Sequence, residues 1–292
     1  MQGTKKICLI TGANSGIGKA AATELATKFD RMILVVRNRV RGERAVQEIF
    51  EKSGNNNLDL VVASLSSFES IHNIVNTLNE KYDHLDVLIN NAGAFFSKRH
   101  TTVDGIEATF NINYLSRFLF TNLLLPLLKK SSSGRIINVA GESHRFGRIN
   151  FDDLMMDKSY NNMKALKQSK LADVLFTYEL SRRLKDSHTT INCLHPGAVA
   201  TNSIDNNPDI SQVIKFLYKT IRPFLKSPEQ GAKTIIYLAT STEVQNISGK
   251  YFINNEVTDS STTSYDENLA KRLWEASEQL TGIKTENYLT EQ

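Results

Sequence analysis

Three closely spaced glycines are the first residues in this sequence whose types and spacing could do chemistry. Thr11-Gly12-Ala13-Asn14-Ser15-Gly16-Ile17-Gly18-Lys19 follows the apolar run ICLI and leads directly into AAATELATKF. Gly12 permits a sharp turn, Gly16 lets the backbone approach a pyrophosphate, and Gly18 allows a helix to pack closely on the preceding strand. A helix beginning here aims free N–H groups and its positive dipole end at phosphate oxygens. The chemistry is dinucleotide binding. The next apolar run ends VVRNRVRGER, with Arg37 at its end and Arg39 and Arg41 close by. A carboxylate at that place would accept the ribose 2′-OH of NAD, whereas a guanidinium suits a 2′-phosphate. The expected cofactor is therefore NADP(H) rather than NAD. Arg41 and Arg44 read more simply as the solvated start of a helix.

A cradle of this kind needs a parallel sheet to hold it. Short β-branched or leucine-rich runs alternate with helical patterns, as in a doubly wound sheet. Strands are predicted at Ile7–Thr11, Met32–Val36, Leu58–Ser64, Val87–Asn91, Arg135–Ala140, Thr190–His195 and Tyr251–Ile253. Helices are predicted to begin near Gly16, Arg41, Phe68, Gly105, Ala165 and Ser227, with a last one over Glu267–Thr281. The spacing implies a single-domain α/β Rossmann-type sheet over residues 1–292, with helices on both faces. Right-handed crossovers then put the ligand crevice at the carboxyl ends of the strands. Two segments break the rhythm. Gly141–Lys164 is a polar insertion, and 198–226 reads as a lid with a small helix near Ile210–Thr220. Residues 254–292 form a polar tail.

Bulk properties exclude several classes. The 292 residues are 40% hydrophobic and 23% charged, enough for a full core, and a net charge of +4 is too mild to indicate nucleic acid. The two cysteines, Cys8 and Cys193, lie in strand-like runs and read as buried reduced thiols without metal-ligand spacing. The most apolar stretch, Phe118–Leu128, is too short to span a bilayer. The N-terminus reads as a strand rather than a signal peptide, so a cytoplasmic location is expected.

Further motifs, in order along the chain, resemble the short-chain dehydrogenase/reductase family. Besides TGANSGIG at 11–18, Asn90-Asn91-Ala92-Gly93 resembles its NNAG motif and Asn113 its helix asparagine. Pro196-Gly197-Ala198-Val199-Ala200-Thr201 resembles its PGxVxT segment. The blocks INFDDL at 149–154 and QSKLADVLFTYELSRRL at 168–184 look like the retinol-dehydrogenase-like branch. The resemblance implies cofactor contacts at Gly12, Asn14, Ser15, Gly16, Ile17, Gly18, Arg37, Ser64, Leu65, Asn91, Ala92, Gly93, Lys170, Pro196, Gly197, Val199 and Thr201. It also implies hydride transfer between a nicotinamide and a carbonyl or alcohol of lipophilic type. In the family a tyrosine phenol supplies the proton and a lysine one turn later lowers its pKa. A serine binds the substrate oxygen and an asparagine supports the lysine through water. Many members carry a membrane-anchoring N-terminal helix, and none is expected from the residues that open this sequence. The long helix Asn113–Lys130 and the Leu166–Leu184 helix resemble those through which members pair, which leaves two readings open: a homodimer, or a monomer in which the same leucines are core.

Against this pattern two catalytic positions are replaced. The family block AYxQSKLA reads Ala165-Leu166-Lys167-Gln168-Ser169-Lys170-Leu171-Ala172, with Leu166 at the tyrosine. The run after the fifth strand reads Asn138-Val139-Ala140-Gly141, with Gly141 at the serine. Lys170 and Asn113 remain, and Ser64 stands where the branch has an aspartate near the adenine. Leucine cannot donate a proton and glycine has no side chain to hold an oxygen, so standard catalysis is expected to be impaired or absent. Three substitutes are considered. Tyr160 also has a YxxxK spacing, to Lys164, and Ser143 and His144 follow the missing serine. Three functions stay open: an NADP(H)-binding member without standard catalysis, an active NADP-dependent oxidoreductase with another proton donor, and a cofactor-sensing or scaffold protein.

Overall fold

Side chains buried from both faces are what a parallel sheet between two helical layers demands. Strand β1 (Ile7–Thr11) is buried throughout. Its alternate side chains divide between two cores, Ile7 and Leu9 on one face, Cys8 and Ile10 on the other. The structure is a computed structural model that describes residues 5–200, 218–220, 222 and 225–289.

The chain continues through α1 (Gly16–Leu25), β2 (Arg31–Val36), α2 (Arg39–Ser53), β3 (Leu58–Val62), α3 (Phe68–Lys81) and β4 (Val87–Asn90). A short α4 (Ala108–Phe110) passes through a π-helical turn, Asn111–Leu115, into α5 (Ser116–Lys129). Then come β5 (Arg135–Val139), two 3₁₀ turns (Glu142–Phe146 and Phe151–Asp153), α6 (Asn162–Arg183) and β6 (Thr190–His195). The described remainder includes α7 (Pro228–Thr240), β7 (Tyr251–Ile253), β8 (Glu256–Val257), α8 (Glu267–Thr281) and α9 (Glu286–Leu289). The strands form one sheet in the order β3-β2-β1-β4-β5-β6-β7-β8, parallel except for β8. Strand order reverses between β1 and β4, which opens a crevice at their carboxyl ends.

One face of the sheet carries α3, α5 and α6 over a core that includes Leu88, Phe118 and Leu175; the other carries α1, α2 and α7 over Ile89, Ile49 and Ile235. The predicted strands fall on β1 to β7, within one or two residues at their ends. Helix α6 begins at Asn162 rather than Ala165, because the Asn161 side chain caps it by accepting from the Lys164 N–H. Strand β8 was not expected. It returns through Asn254-Asn255, both with positive φ (53° and 69°), the asparagine turn of a tight hairpin.

The tail is less polar in effect than its composition. Helix α8 is amphipathic and brings Trp274 to 4.9 Å from Phe118 and 5.8 Å from Phe176, ring centre to ring centre. The apolar side chains of α5 and α6, which the family resemblance assigned to dimer pairing, are thus buried within the chain, in part beneath its own C-terminal helix. Among the described residues no helix is long and apolar enough to cross a membrane.

Candidate active site

The turn after β1 is shaped to receive an anion. Gly12 (φ 69°) and Gly16 (φ 53°) take conformations that favour glycine. A Cβ on Gly18 would lie 2.3 Å from both the Gly12 carbonyl oxygen and Asn91 Nδ2, so α1 packs on the turn only because that side chain is missing. Ser15 is the N-cap residue, yet its hydroxyl caps nothing and the first turn holds no acidic side chain. The first amides of α1 are left for a phosphate to accept.

The NNAG segment serves this turn as a brace. Thr11 Oγ1 accepts from the backbone N–H groups of Asn91 and Ala92, both at 3.0 Å. Asn91 Nδ2 donates to the Thr11 carbonyl at 2.9 Å. Val199 is drawn in from the far end of the sequence. A Cβ on Gly231 of α7 would meet Val199 at 2.6 Å and Ile17 at 3.2 Å, so both close on the same helix. A groove of about 1240 Å³ runs beside Gly16 and α7, flanking the cradle rather than Lys170.

Arg37 follows β2, exposed and with no ion pair among the described residues, whereas its neighbours are engaged. Arg39 pairs with Glu43 at 3.7 Å and Arg44 with Glu48 at 2.9 Å. Ser64 uses its hydroxyl on Ser66, at 2.8 Å. The Leu65 carbonyl accepts from Ser116, which ties the end of the β3 loop to α5.

The opposite wall is built from the end of β5 and the first half of α6. Gly141 has φ 152°, a backbone that side-chain-bearing residues rarely adopt. A Cβ built there would meet only Lys170 Cε, at 4.0 Å. Lys170 Nζ donates to the Val139 carbonyl at 3.1 Å, and Leu166 stands one turn before it, half-buried. Asn113 lies in the π-helical turn, a feature frequent at functional sites. Its side chain accepts from the Ala94 N–H at 2.8 Å and donates to the Ala94 carbonyl at 2.9 Å and to Ser169 at 3.2 Å. It thereby locks the loop after β4 to α6.

Beneath Lys170 lies a pair that the sequence reading missed. Arg117 of α5 donates to Asp173 of α6, to the Val139 carbonyl at 3.0 Å and to the Ala92 carbonyl at 2.7 Å. Side-chain exposure is 3% for Arg117 and 0% for Asp173. Arg117 Nε and Asp173 Oδ1 have no hydrogen-bond partner among the described residues. The signal was present: one charge in SRFLFTNLLL and one of opposite sign in KLADVLF, each inside a helix otherwise destined for burial, must find a partner. Burial and the Arg117 guanidinium bring the Lys170 ammonium down to about 7, against the pull of Asp173.

Of the three substitute donors, His144 is turned away from this chemistry. It is fully buried, its Nδ1 lies 2.8 Å from the Gly141 carbonyl and its Nε2 accepts from the Ser261 N–H at 3.1 Å. That fixes a neutral imidazole as a clip between the turn and the tail, and burial lowers its pKa further. Tyr160 precedes the α6 cap, so it does not share a helical face with Lys164; its hydroxyl donates to the Phe96 carbonyl at 3.1 Å. Ser143 is half-buried in the turn. Pro196 and Gly197 (φ 91°) follow β6, and Val199 bridges Lys226, which closes the base of the expected lid. Thr201 and most of the predicted helix at Ile210–Thr220 lie outside the described residues, while 218–220 are helical.

The short chain dehydrogenase family model matches residues 6–209. Human retinol dehydrogenase 14 is 40% identical over 292 residues, covering 95% of this chain and 87% of that protein. Human retinol dehydrogenase 13 is 40% identical over 284 residues, covering 96% and 85%. Among solved structures, an uncharacterised protein from Mycobacterium paratuberculosis superposes with a TM-score of 0.76 at 29% identity, over 97% of this chain and 95% of that one. The Pseudomonas aeruginosa RhlG/NADP active-site complex gives a TM-score of 0.66 at 25% identity, over 85% and 93%.

Proposed function

The chain belongs to the short-chain dehydrogenase family, in its retinol-dehydrogenase-like branch, and from that premise we propose that it binds NADP(H) while lacking the family's ordinary proton donor. The observation that carries the proposal is the contrast between a glycine cradle packed for an anion and a facing wall that presents Leu166 and Gly141. The amides of Gly16, Ile17 and Gly18 would hold the pyrophosphate, with Asn14 and Ser15 beside them, and Arg37 the 2′-phosphate. Lys170 would reach the nicotinamide ribose, and Gly93, Pro196, Gly197, Val199 and Thr201 would border the ring. A bound NADPH supplies a hydride.

The rest of the chemistry falls to the chain's own residues. Leu166 offers no proton, and Gly141 no hydroxyl for a substrate oxygen. Losing a positioned acid typically costs about 10²–10⁴ in rate. Substrates of lipophilic carbonyl or alcohol type are the class suggested by relatives named retinol dehydrogenases. The test is NADPH and NADH binding to purified protein by ligand fluorescence, alongside NADPH consumption over a panel of aldehydes and ketones, with Leu166→Tyr in parallel. Tight NADPH binding with slow or silent parent turnover, raised about 10²-fold in Leu166→Tyr, is the expected result. Efficient turnover by the parent, unaffected by Leu166→Tyr, would overturn it.

The second reading, an active enzyme with another donor, is favoured by one observation. Lys170 keeps its place on the Val139 carbonyl, bordering the space at Gly141.

A further inference from the structure

The fate of that second reading turns on a charge imbalance under the site. The Val139 carbonyl accepts from both Lys170 and Arg117, and Arg117 is paired with Asp173. Two cations therefore share one buried carboxylate. A guanidinium does not give up its proton under ordinary conditions, whereas a lysine ammonium does when burial and a like charge press on it. Lys170 is thus the member of the cluster able to change charge.

The surroundings supply little to prevent this. From α5 comes Arg117, and from the lysine's own helix comes Asp173, already held by Arg117. From β6 comes His195, half-buried, with Nδ1 lacking a hydrogen-bond partner among the described residues and its pKa lowered by partial burial. From the 3₁₀ turn come the neutral His144 and Glu142, which is bound to Arg145 at 2.9 Å and Tyr251 at 3.0 Å. Where the family's serine would stand, a Cβ on Gly141 meets, among the described residues beyond its chain neighbours, only Lys170 within 4 Å.

We propose that Lys170 itself donates the proton in carbonyl reduction by this protein, and that the buried Arg117–Asp173 pair positions it to do so. The proposal rests on the NADP(H) reading above. A bound reduced dinucleotide would supply the carbonyl carbon with a hydride, carrying both electrons. The C=O π pair moves onto oxygen, a Lys170 N–H bond breaks, and its proton joins that oxygen. The products are an alcohol, the oxidised dinucleotide and a neutral amine that regains its proton from water. An ammonium brought down to about 7 is poised for such exchange at neutral pH. Reduction needs the protonated form, so its rate falls as pH rises through that value. Arg117 and Asp173 touch no reacting atom and act as positioning residues.

The first test needs no cofactor. The apo protein is acylated with acetic anhydride across pH 5.5 to 9.5, and labelling of Lys170 and of exposed Lys52 is followed by peptide mass spectrometry. Lys170 should become reactive with a midpoint near 7, well below Lys52. The midpoint should fall by about one pH unit in Asp173→Asn and rise in Arg117→Met, should that variant fold. A Lys170 that titrates with Lys52, or that ignores Asp173→Asn, overturns the proposal.

The second test follows NADPH-dependent reduction against pH, with NADPH binding measured separately. The parent rate should drop about tenfold per pH unit above 7, and Lys170→Arg should lose about 100-fold or more. A protein that binds NADPH but reduces nothing at any pH, or a Lys170→Arg variant that retains the parent rate, refutes Lys170 as donor. Failure to bind NADPH refutes the underlying cofactor reading instead.

Discussion

The turn after β1 and the turn after β5 both leave the carboxyl end of one sheet, both lie in the strand-to-helix path, and both depend on glycine. They use it in opposite ways. At Gly18 the missing side chain is replaced by protein: the Gly12 carbonyl and Asn91 occupy the volume a Cβ would need. At Gly141 it is replaced by space, where among the described residues beyond its chain neighbours only Lys170 comes within 4 Å, and the backbone has φ 152°. The first glycine is a packing requirement and tolerates nothing larger. The second leaves open space, and the wall around it is braced by Asn113, Arg117 and His144. The first turn is thus fixed mostly by backbone, whereas what the second can do is fixed mostly by side chains.

The most forceful way to break this contrast is to remove the brace from the reaction wall. Arg117→Met removes the hydrogen-bonded partner of the buried Asp173 carboxylate and leaves it only the more distant Lys170, and a loss of about 3–5 kcal/mol in unfolding free energy is expected. Urea denaturation of the variant beside the parent measures it; a loss under about 1 kcal/mol would mean that Asp173 simply takes up a proton, as its burial-raised pKa favours.

Next in size is the packing glycine. Gly18→Ala forces backbone and Asn91 apart, with about 3 kcal/mol of destabilisation, the upper part of the usual range for overpacking, and a matching loss of NADPH affinity. If thermal melts and fluorescence titration leave this variant at parent values, the cradle is less rigid than the contrast requires.

Arg37→Ala sharpens the cofactor side. Removing one charge-assisted contact should cost about 2 kcal/mol, or about 30-fold in NADPH affinity, with NADH affinity unchanged. Equal losses for both dinucleotides would show that Arg37 does not read the 2′-phosphate.

The smallest effect concerns the other glycine. Gly141→Ser meets open space but an unfavourable backbone, so a cost of about 1–2 kcal/mol is expected rather than a clash. Calorimetry of this variant separates strain from crowding.

Much of this was legible in the residues. The apolar period identifies seven of the strands and most helices, because two-sided burial leaves a continuous apolar signature that needs no tertiary information. The cradle is local too: strand, glycines and helix are contiguous from Ile7 to Leu25. The antiparallel β8 escaped because it spans only Glu256–Val257, and its signal lies in two asparagines of positive φ.

The identities at 141 and 166 come from the sequence by itself, as do the arginine at the end of β2 and the lysine at 170. Those are matters of residue type. What only the tertiary structure decided is what each group faces. It placed Arg117 and Asp173, far apart in the chain, under one strand-end carbonyl with Lys170. It turned His144 into a neutral clip and set Tyr160 outside the helix. The physical reason is that a side chain's protonation and reach depend on burial and on charges brought close by folding, and neither is encoded by its immediate neighbours.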